Sequence, residues 1–244
     1  MIPNIIHFIY PAWENTRPLS YLNYISVKSA LRQSNNINFW IDGDPVQNEW
    51  WDKIKPLVSI RRRPMKGEYR GTKIVWPQYQ SDVTRLEILQ EEGGIYLDTD
   101  VIVMRRLDDF MDGQFTIGAE PTGNSLSNAI ILSEHDDPFV IEWLDRMPKA
   151  LQSETWADGG VVTPYKLAQD WPLHIRIVPS AFLCPLDLKA PYLFMDDKGN
   201  NVKLLVKNSY TIHVYETYWR DLVRDITPEW VKKNPNAIFS EIVR

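Results

Sequence analysis

Two neighbouring segments in the middle of the chain show different hydrophobic periods. In the first, Leu86 and Leu89 recur at the spacing of a helix. Asp82 and Arg85 fall on the same helix face as these leucines. We therefore expect the carboxylate and the guanidinium to point into the protein with the leucine side chains. The second segment, residues 95–104, is apolar and β-branched at both alternating sets of positions, which predicts a central strand covered on both sides.

A glycine pair separates the two segments, and two aspartates interrupt the second. Gly93 and Gly94 predict the end of the helix, where a left-handed backbone excludes a side chain. Asp98 and Asp100 are two residues apart and therefore lie on the same side of an extended chain. Since two like charges in a buried strand repel each other, we expect a cation or a strong donor set to neutralise them.

The pattern elsewhere alternates short apolar runs with helical segments. It predicts an α/β protein with a mostly parallel central sheet flanked by helices. Pro138 is expected in the first turn of a helix that an aspartate caps. Residues 67–76 show no hydrophobic period, which predicts a loop. The remaining expected elements are strands at 2–10, 37–41, 57–60, 115–119, 128–132 and 175–178, helices at 19–31, 49–55, 163–171 and 228–234, and a hairpin at 193–206.

Composition restricts the class of protein. The chain has 244 residues, 44% hydrophobic and 24% charged, which is typical of a globular protein of one α/β domain. The net charge of −5 argues against a general nucleic-acid binder. A single cysteine, Cys184, fits a reducing compartment, and no apolar run reaches membrane-spanning length. We therefore expect a cytoplasmic protein without a membrane span.

The paired aspartates need a control, because an Asp-X-Asp triplet is a weak motif by itself. Asp42-Gly43-Asp44 is a second copy, followed by a proline at the end of a predicted strand. A solvated turn explains that copy. The copy at Asp98 and Asp100 differs in its context, because apolar residues flank it and the preceding helix turns charged groups inward.

That context resembles a known family. Ser81-Asp82, Arg85, Gly93-Gly94 and the run from Tyr96 to Asp100 are similar to the signature of the DXD-containing glycosyltransferases. This family includes yeast α-1,6-mannosyltransferase, α-1,4-galactosyltransferase and, more distantly, the clostridial glucosylating toxins. Residues 2–10 and 128–131 resemble two further strands of the family. The resemblance implies one GT-A-type domain over residues 1–244, with a nucleotide-sugar-binding half (1–110) and an acceptor side with a C-terminal lid (111–244).

The resemblance also implies a divalent cation, Mn²⁺ or Mg²⁺. Sugar transfer leaves negative charge on a departing diphosphate, and oxygen and imidazole ligands suit these ions. We expect Asp100 to bind the metal directly, with His213 or Glu216 completing its shell. Asp98 is expected to hold the ribose or a metal-bound water, and is itself a candidate metal ligand.

Further residues are candidates for substrate contacts through the family's motifs. Matching residues imply that Asp82 and Arg85 grip the hydroxyls of the donor sugar. In the family a C-terminal histidine precedes a Ser-Trp pair that closes over the diphosphate, whereas Tyr218 stands at the serine position here. The other candidate substrate-binding residues are Tyr10, which would stack on the nucleobase, Asp44, Tyr96, Asn128 and Trp219.

Simpler interpretations stay open for some of these residues. Tyr10 is equally explained as a tyrosine at a strand end, and Asn128 as an amide that caps a turn. His7, inside the first predicted strand, is interpreted as a hydrogen-bonded core histidine. Arg61-Arg62-Arg63 with Lys66, Arg70 and Lys73 form a basic cluster, either a solvated face or a patch for an anionic acceptor such as a phosphorylated glycan or a lipid head group.

The expected reaction is hexose transfer in polysaccharide biosynthesis. The resemblance favours a UDP-sugar donor over GDP-mannose, a glycan or glycolipid acceptor, and retention of anomeric configuration. Two alternatives remain at this stage. The first is a sugar-nucleotide-binding protein without turnover. The second is a haloacid-dehalogenase-like phosphatase, with Asp98 and Asp100 as its nucleophile motif and Asp196-Asp197 as its distal acidic pair.

Overall fold

A computed structural model of the protein describes residues 1–10, 17–195 and 201–244. The strands are β1 (Ile6–Tyr10), β2 (Ile37–Ile41), β3 (Ser59–Arg62), β4 (Glu68–Tyr69), β5 (Thr72–Lys73), β6 (Gly94–Leu97), β7 (Val101–Val103), β8 (Thr116–Ala119), β9 (Leu126–Ser133), β10 (Arg176–Val178) and β11 (Thr211–His213). The α-helices are α1 (Tyr21–Ala30), α2 (Glu49–Ile54), α3 (Pro77–Glu92), α4 (Pro138–Ala150), α5 (Thr163–Asp170), α6 (Ser180–Leu183), α7 (Val202–Asn208), α8 (Arg220–Arg224), α9 (Pro228–Lys233) and α10 (Ile238–Val243).

Seven strands form the central sheet in the order β10-β8-β9-β6-β1-β2-β3. The neighbours β1–β2, β2–β3, β1–β6 and β8–β10 are parallel, and only β9 runs antiparallel to its two neighbours. The predicted α/β class with a mostly parallel central sheet is therefore confirmed. The described residues also form two small antiparallel pairs outside this sheet, β7–β11 and β4–β5.

Helices cover both faces of the sheet because its strands are apolar on both sides. One core contains β1 and β2 with residues of α1 and α2, among them Val27 and Trp51. The opposite core contains α3 and α4, where Leu86 and Trp143 are fully buried. A third cluster packs the C-terminal helices against β7 and β11. Within the described ranges, no helix is both long and apolar enough to cross a bilayer.

The helix that opens the central motif follows the predicted pattern. In α3, Asp82, Arg85, Leu86 and Leu89 are all buried. Gly93 ends the helix at φ 62°, and its N–H donates to the carbonyl of Leu89 at 2.9 Å. A side chain could not replace the hydrogen at Gly93, because an added Cβ would lie 2.7 Å from the backbone nitrogen of His135.

The prediction of one continuous strand over residues 95–104 is wrong. The chain leaves the central sheet after Leu97, turns through Asp98-Thr99-Asp100, and continues as β7 in a separate ribbon with β11. The N–H of Val101 donates to the carbonyl of Asp98 at 3.0 Å and closes this turn. The aspartates therefore lie at a strand end and not within a strand.

Other expectations differ from the structure at the edges of the fold. The predicted loop at 67–76 contains the β4–β5 hairpin, and a tenth helix, α10, follows the one predicted as the last. The predicted hairpin at 193–206 is wrong where it is described, because Val202–Asn208 is helical. Residues 196–200, which include the acidic pair of the phosphatase alternative, lie outside the described residues.

Candidate functional site

The sheet topology gathers polar residues at one edge. β6 and β8 run in the same direction, so their carboxyl ends present Asp98 and Glu120 at the same edge. The antiparallel β9 begins there and adds Ser127 and Asn128. Ligands of open α/β sheets bind outside the carboxyl ends of the strands.

A cavity of about 440 Å³ lies at this edge, within the size range of small-molecule sites. Eight of the residues predicted from the sequence line it, and they come from α3, β6, β9, β11 and the segments that follow β6 and β11. They are Asp82, Arg85, Tyr96, Asp98, Asp100, Asn128, His213 and Glu216. The structure thus brings most of the predicted site residues into one cavity, although their roles remain predictions.

Three of these residues form a candidate metal site. One ligand atom from each of Asp98, Asp100 and His213 lies within 4.8 Å of the others. The ribbon explains this proximity, because His213 pairs with Val101, directly after the second aspartate. Nε2 of His213 is 3.4 Å from Oδ1 of Asp100 and 4.0 Å from Oδ2 of Asp98.

The chemistry of this donor set fits a small divalent cation. Two carboxylates and an imidazole are ligands that Mn²⁺ accepts, and carboxylates also suit Mg²⁺. Burial raises the pKa of Asp100, but the opposing effects of His213 and the N–H of Glu216 hold it below its ordinary value. Asp100 is therefore ionised at neutral pH, which metal ligation requires.

Glu216, the alternative to His213 in the predicted metal shell, lines the cavity and contacts Asp100. Its backbone N–H donates to Oδ2 of Asp100 at 2.7 Å. Its side-chain Oε2 accepts a hydrogen bond from Nδ2 of Asn23 at 3.0 Å, and the same amide group donates to the carbonyl of Thr99 at 3.1 Å. Glu216 thus supports Asp100 through its backbone, and Asn23 links the segment after β11 to the turn after β6.

A second charged cluster lies beside the aspartate turn. Arg85 reaches Asp82 at 3.1 Å and Asp98 at 3.3 Å, and its Nη1 donates to the carbonyl of Asn128 at 2.8 Å. The hydroxyl of Tyr96 donates to Asp98 at 2.6 Å, and the guanidinium lies 4.5 Å from the centre of the Tyr96 ring. One cation therefore links the helix carboxylate to the strand-end carboxylate.

Burial and mutual charge set the ionisation of this cluster. Burial raises the pKa of Asp82 to about 6, although the charge of Arg85 opposes the shift. Burial disfavours the charge on Arg85 as well, but Tyr96, Asp98 and Asp82 raise its pKa above the ordinary arginine value. The guanidinium stays charged and holds two acidic groups at the cavity wall.

A π-helical turn over Asp158–Val162 closes one side of this cluster. Nδ2 of Asn128 donates to Oδ1 of Asp82 at 2.8 Å. Gly160 packs against both groups: a Cβ there would lie 2.1 Å from Nδ2 of Asn128 and 2.9 Å from Oδ2 of Asp82. A glycine at this position is what allows the asparagine and the aspartate to meet.

Three predicted substrate-binding residues lie outside the lining of this cavity. Tyr10 is buried at the end of β1, stacks on Phe39, and donates its hydroxyl to the carbonyl of Arg17. Asp44 is exposed and pairs with Arg62 at 2.6 Å. Trp219 is part of the C-terminal cluster, and its indole N–H is buried without a hydrogen-bond partner among the described residues.

His7 and the basic cluster have structural partners. The ring of His7 bonds the carbonyl of Gly93 at 2.9 Å and accepts from the indole of Trp40 at 3.2 Å, so the prediction of a hydrogen-bonded core histidine is confirmed. Most of the cluster's cations pair with acidic side chains of α3 and neighbouring elements. These pairs are Arg61–Glu92, Arg62–Asp44, Arg63–Glu87, Arg63–Glu91, Lys66–Glu87 and Arg70–Asp145.

Sequence reasoning missed several cavity residues that lie after β7 in the chain. Glu120 directly follows β8, and its position at a carboxyl strand end was a usable signal. Tyr215 stacks on His213 with ring centres 3.9 Å apart and donates to Glu120 at 3.1 Å, and no sequence pattern indicated this. Trp156 and Tyr218 also line the cavity.

Comparison with known sequences agrees with this geometry. Residues 9–116 match the family model described as a glycosyltransferase sugar-binding region containing a DXD motif. The whole chain is 26% identical to glucan organizing enzyme 1 of Cryptococcus neoformans var. grubii and spans 70% of that protein. Over 52% of its length it is 31% identical to an uncharacterized glycosyltransferase of Acanthamoeba polyphaga mimivirus, of which it spans 47%.

Solved structures are similar in fold. The PaToxG glycosyltransferase aligns with the whole chain and 87% of its own length at a TM-score of 0.51 and 16% identity. The glycosyltransferase GlyE of Streptococcus pneumoniae TIGR4 aligns with the whole chain and 62% of its own length at a TM-score of 0.53 and 14% identity. The fold is thus the one expected from the sequence, a GT-A-type arrangement.

Proposed function

We propose that the chain is a metal-dependent hexosyltransferase that uses a nucleotide-sugar donor, because residues 9–116 match the model of glycosyltransferase sugar-binding regions that contain a DXD motif. One observation carries the proposal. The candidate metal ligands Asp98, Asp100 and His213 line the same cavity as the Asp82–Arg85 pair. A diphosphate and the sugar attached to it require such adjacent sites.

In this proposal, the candidate metal ligands and the Asp82–Arg85 pair bind different parts of the donor. A divalent cation held by Asp98, Asp100 and His213 would neutralise the diphosphate of the donor and of the leaving nucleotide. Asp82 and Arg85 orient the donor sugar through its hydroxyls, with Asn128 beside them. Because the Asp98–Arg85 contact joins the two groups, the sugar and the diphosphate are held in a fixed relative position.

The proposed transfer retains the anomeric configuration. The bond between the anomeric carbon and the diphosphate oxygen breaks, and a bond to the acceptor hydroxyl oxygen forms on the same face of the ring. The proton of that hydroxyl passes to the leaving phosphate oxygen. Tyr96 and Arg85 keep Asp98 hydrogen-bonded beside the departing group.

We propose a UDP-sugar as the donor and a glycan or glycolipid as the acceptor. The name of the fungal relative that aligns with the whole chain, glucan organizing enzyme 1, supports a role in polysaccharide biosynthesis. A cytoplasmic site of action is part of the same proposal. The haloacid-dehalogenase alternative receives no support from the family match.

A thermal-shift panel tests the metal and the donor base together. UDP, GDP and CDP are each added with and without Mn²⁺, and a ligand at a hundredfold its dissociation constant should stabilise the protein by about 2.7 kcal/mol. We expect a metal-dependent shift with UDP that is lost in Asp100→Ala. Asp52→Ala, which removes an exposed aspartate of α2 outside the cavity, is the matched control.

Two outcomes would contradict the proposal. If Asp100→Ala keeps the full metal-dependent shift, Asp100 does not belong to the metal shell. If no nucleotide stabilises the wild-type protein in Mn²⁺, the cavity is not a metal–nucleotide site. Hydrolysis of the UDP-sugar in Mn²⁺ then separates a transferase from a protein that only binds the donor.

A further inference from the structure

Two large aromatic side chains rim the cavity and remain exposed. The ring centres of Trp156 and Tyr218 lie 6.4 Å apart with the ring planes at 53°. Trp156 is 39% exposed and Tyr218 53% exposed, and both line the cavity. Exposed aromatic groups at a concave site are typical of surfaces that bind a ligand with an apolar face.

The two rings come from distant parts of the chain, and short segments connect each of them to the reacting end of the cavity. Trp156 precedes the π-helical turn whose Gly160 packs against Asp82 and Asn128. Tyr218 is two residues after Glu216, whose N–H bonds Asp100, and its own N–H donates to the carbonyl of Tyr215 at 3.0 Å. Both rings therefore belong to segments that contact the residues assigned to the donor sugar and to the metal.

Polar groups of the same cavity complete a surface suited to a carbohydrate. Glu120, Thr122 and Ser125 line it, and the hydroxyls of Thr122 and Ser125 are 3.2 Å apart. A pyranose ring has an apolar face of C–H bonds and a rim of hydroxyls that donate and accept hydrogen bonds. Aromatic rings beside hydroxyl and carboxylate groups match both features.

We propose that Trp156 and Tyr218 form an acceptor subsite that packs against the C–H face of a pyranose ring. The inference rests on the proposed function, because the position of the donor sugar defines which end of the cavity the acceptor must enter. A β-linked glucose unit, whose axial C–H bonds give each face of the ring an apolar patch, is a suitable probe for this subsite.

Saturation-transfer NMR with cellotriose tests the subsite in the presence of UDP and Mn²⁺. Wild-type protein should transfer saturation to the ring C–H protons of cellotriose but not to sorbitol, an acyclic polyol without a ring face. Trp156→Ala and Tyr218→Ala should each raise the dissociation constant for cellotriose at least about tenfold, equivalent to about 1.4 kcal/mol. Tyr218→Phe keeps the aromatic ring and should bind cellotriose with the affinity of the wild type.

Tyr192→Ala is the matched control, because Tyr192 is 42% exposed and does not line the cavity. Its affinity for cellotriose should equal that of the wild type. If Trp156→Ala and Tyr218→Ala both bind cellotriose with the affinity of the wild type, the acceptor subsite is overturned. The absence of saturation transfer to cellotriose in the wild type would overturn it as well. Loss of the UDP–Mn²⁺ thermal shift in Trp156→Ala would also overturn it, because the rings would then hold the nucleotide.

The two proposals fail in different ways. A wild-type protein that shows no metal-dependent shift with UDP, GDP or CDP contradicts the proposed function. A protein that shows the shift but binds cellotriose independently of Trp156 and Tyr218 contradicts only the acceptor subsite.

Discussion

Glu216 donates its backbone N–H to Oδ2 of Asp100 at 2.7 Å, across 116 residues of sequence. The bond links the aspartate turn after β6 to the segment that follows β11. His213, in that same segment, approaches Asp100 from the neighbouring strand. The candidate metal site is therefore complete only when the C-terminal segment packs on the central motif.

Asn23 should be required for this packing. Its Nδ2 donates to the carbonyl of Thr99 and to Oε2 of Glu216, while its Oδ1 accepts from the N–H of Ser20 at the start of α1. Asn23→Asp keeps the acceptor and removes both donors. Since each lost hydrogen bond costs about 1 kcal/mol, we expect Mn²⁺-dependent UDP binding, measured by calorimetry, to weaken about tenfold or more.

Asn48→Asp is the matched control for Asn23→Asp, because Asn48 does not line the cavity. It keeps the side-chain oxygen that caps α2 and loses the donor to the carbonyl of Leu19, so it should lower the free energy of unfolding by about 1 kcal/mol without changing the Mn²⁺-dependent binding of UDP. Unchanged UDP binding by Asn23→Asp would show that the C-terminal segment holds its position without the asparagine.

Arg85 should be needed for both stability and transfer. Asp82 and Arg85 are almost fully buried, and removal of one partner of a buried ion pair leaves an uncompensated charge. We expect Arg85→Ala to lower the free energy of unfolding by about 3–5 kcal/mol in urea titrations.

Arg85→Lys separates the two roles. It keeps the charge and should cost less stability, yet sugar transfer should still fall strongly because an ammonium cannot contact Asp82, Asp98 and the carbonyl of Asn128 together. A wild-type transfer rate in Arg85→Lys would contradict the proposal that Arg85 binds the hydroxyls of the donor sugar.

Local patterns predicted the helix side of this cluster but not the strand side. The burial of Asp82 and Arg85 followed from the spacing of their leucine neighbours, because side chains three and four residues apart share a helix face. The break after Leu97 has a nonlocal cause: Val101–Val103 pairs with Thr211–His213, more than a hundred residues away. An apolar run gives no information about which partner strand it will meet.

The same limit explains the residues whose surroundings the sequence did not indicate. The family motif predicts Trp219 at the diphosphate, and in the structure its indole packs against the C-terminal cluster. Tyr215, at φ 57°, packs on His213 only because the chain turns sharply after β11. Asn128 was recognised as a candidate, but its contact with Asp82 depends on the approach of Gly160, which only the folded chain reveals.

Gly160 should tolerate no side chain. A Cβ at this position would overlap Nδ2 of Asn128 at 2.1 Å, so Gly160→Ala must displace the asparagine and break its bond to Asp82. Since a displacement of about 1 Å can cost about a hundredfold in rate, we expect a loss of transfer of that order. Transfer assays with UDP-sugars measure it.

Gly67→Ala is the matched control, because no atom of the described residues lies within 4 Å of an added Cβ at Gly67. This variant should keep its transfer rate and should change the free energy of unfolding by less than about 0.5 kcal/mol. A Gly160→Ala protein with a normal rate would mean that the Asp82–Asn128 contact is not needed for transfer.

His7 should make the protein less stable in mild acid. Burial lowers its pKa from 6.5 to about 4, and both ring nitrogens are engaged in the neutral form, by the carbonyl of Gly93 and the indole of Trp40. The unfolded chain therefore binds a proton more readily than the folded chain. The stability contributed by neutral His7 is complete above pH 6.5 and is lost as the pH falls toward 4, by about 2 kcal/mol between pH 7 and pH 5.

Urea unfolding of the wild type and His7→Gln at pH 7 and pH 5 isolates this effect. Other groups titrate in the same interval, among them Asp82, whose pKa is raised to about 6, but they are common to both proteins. His7→Gln should be less stable at pH 7 and should lose less stability on acidification than the wild type. Equal losses in the two proteins would mean that His7 accepts a proton in the folded state as easily as in the unfolded chain, which contradicts its hydrogen-bonded burial between Gly93 and Trp40.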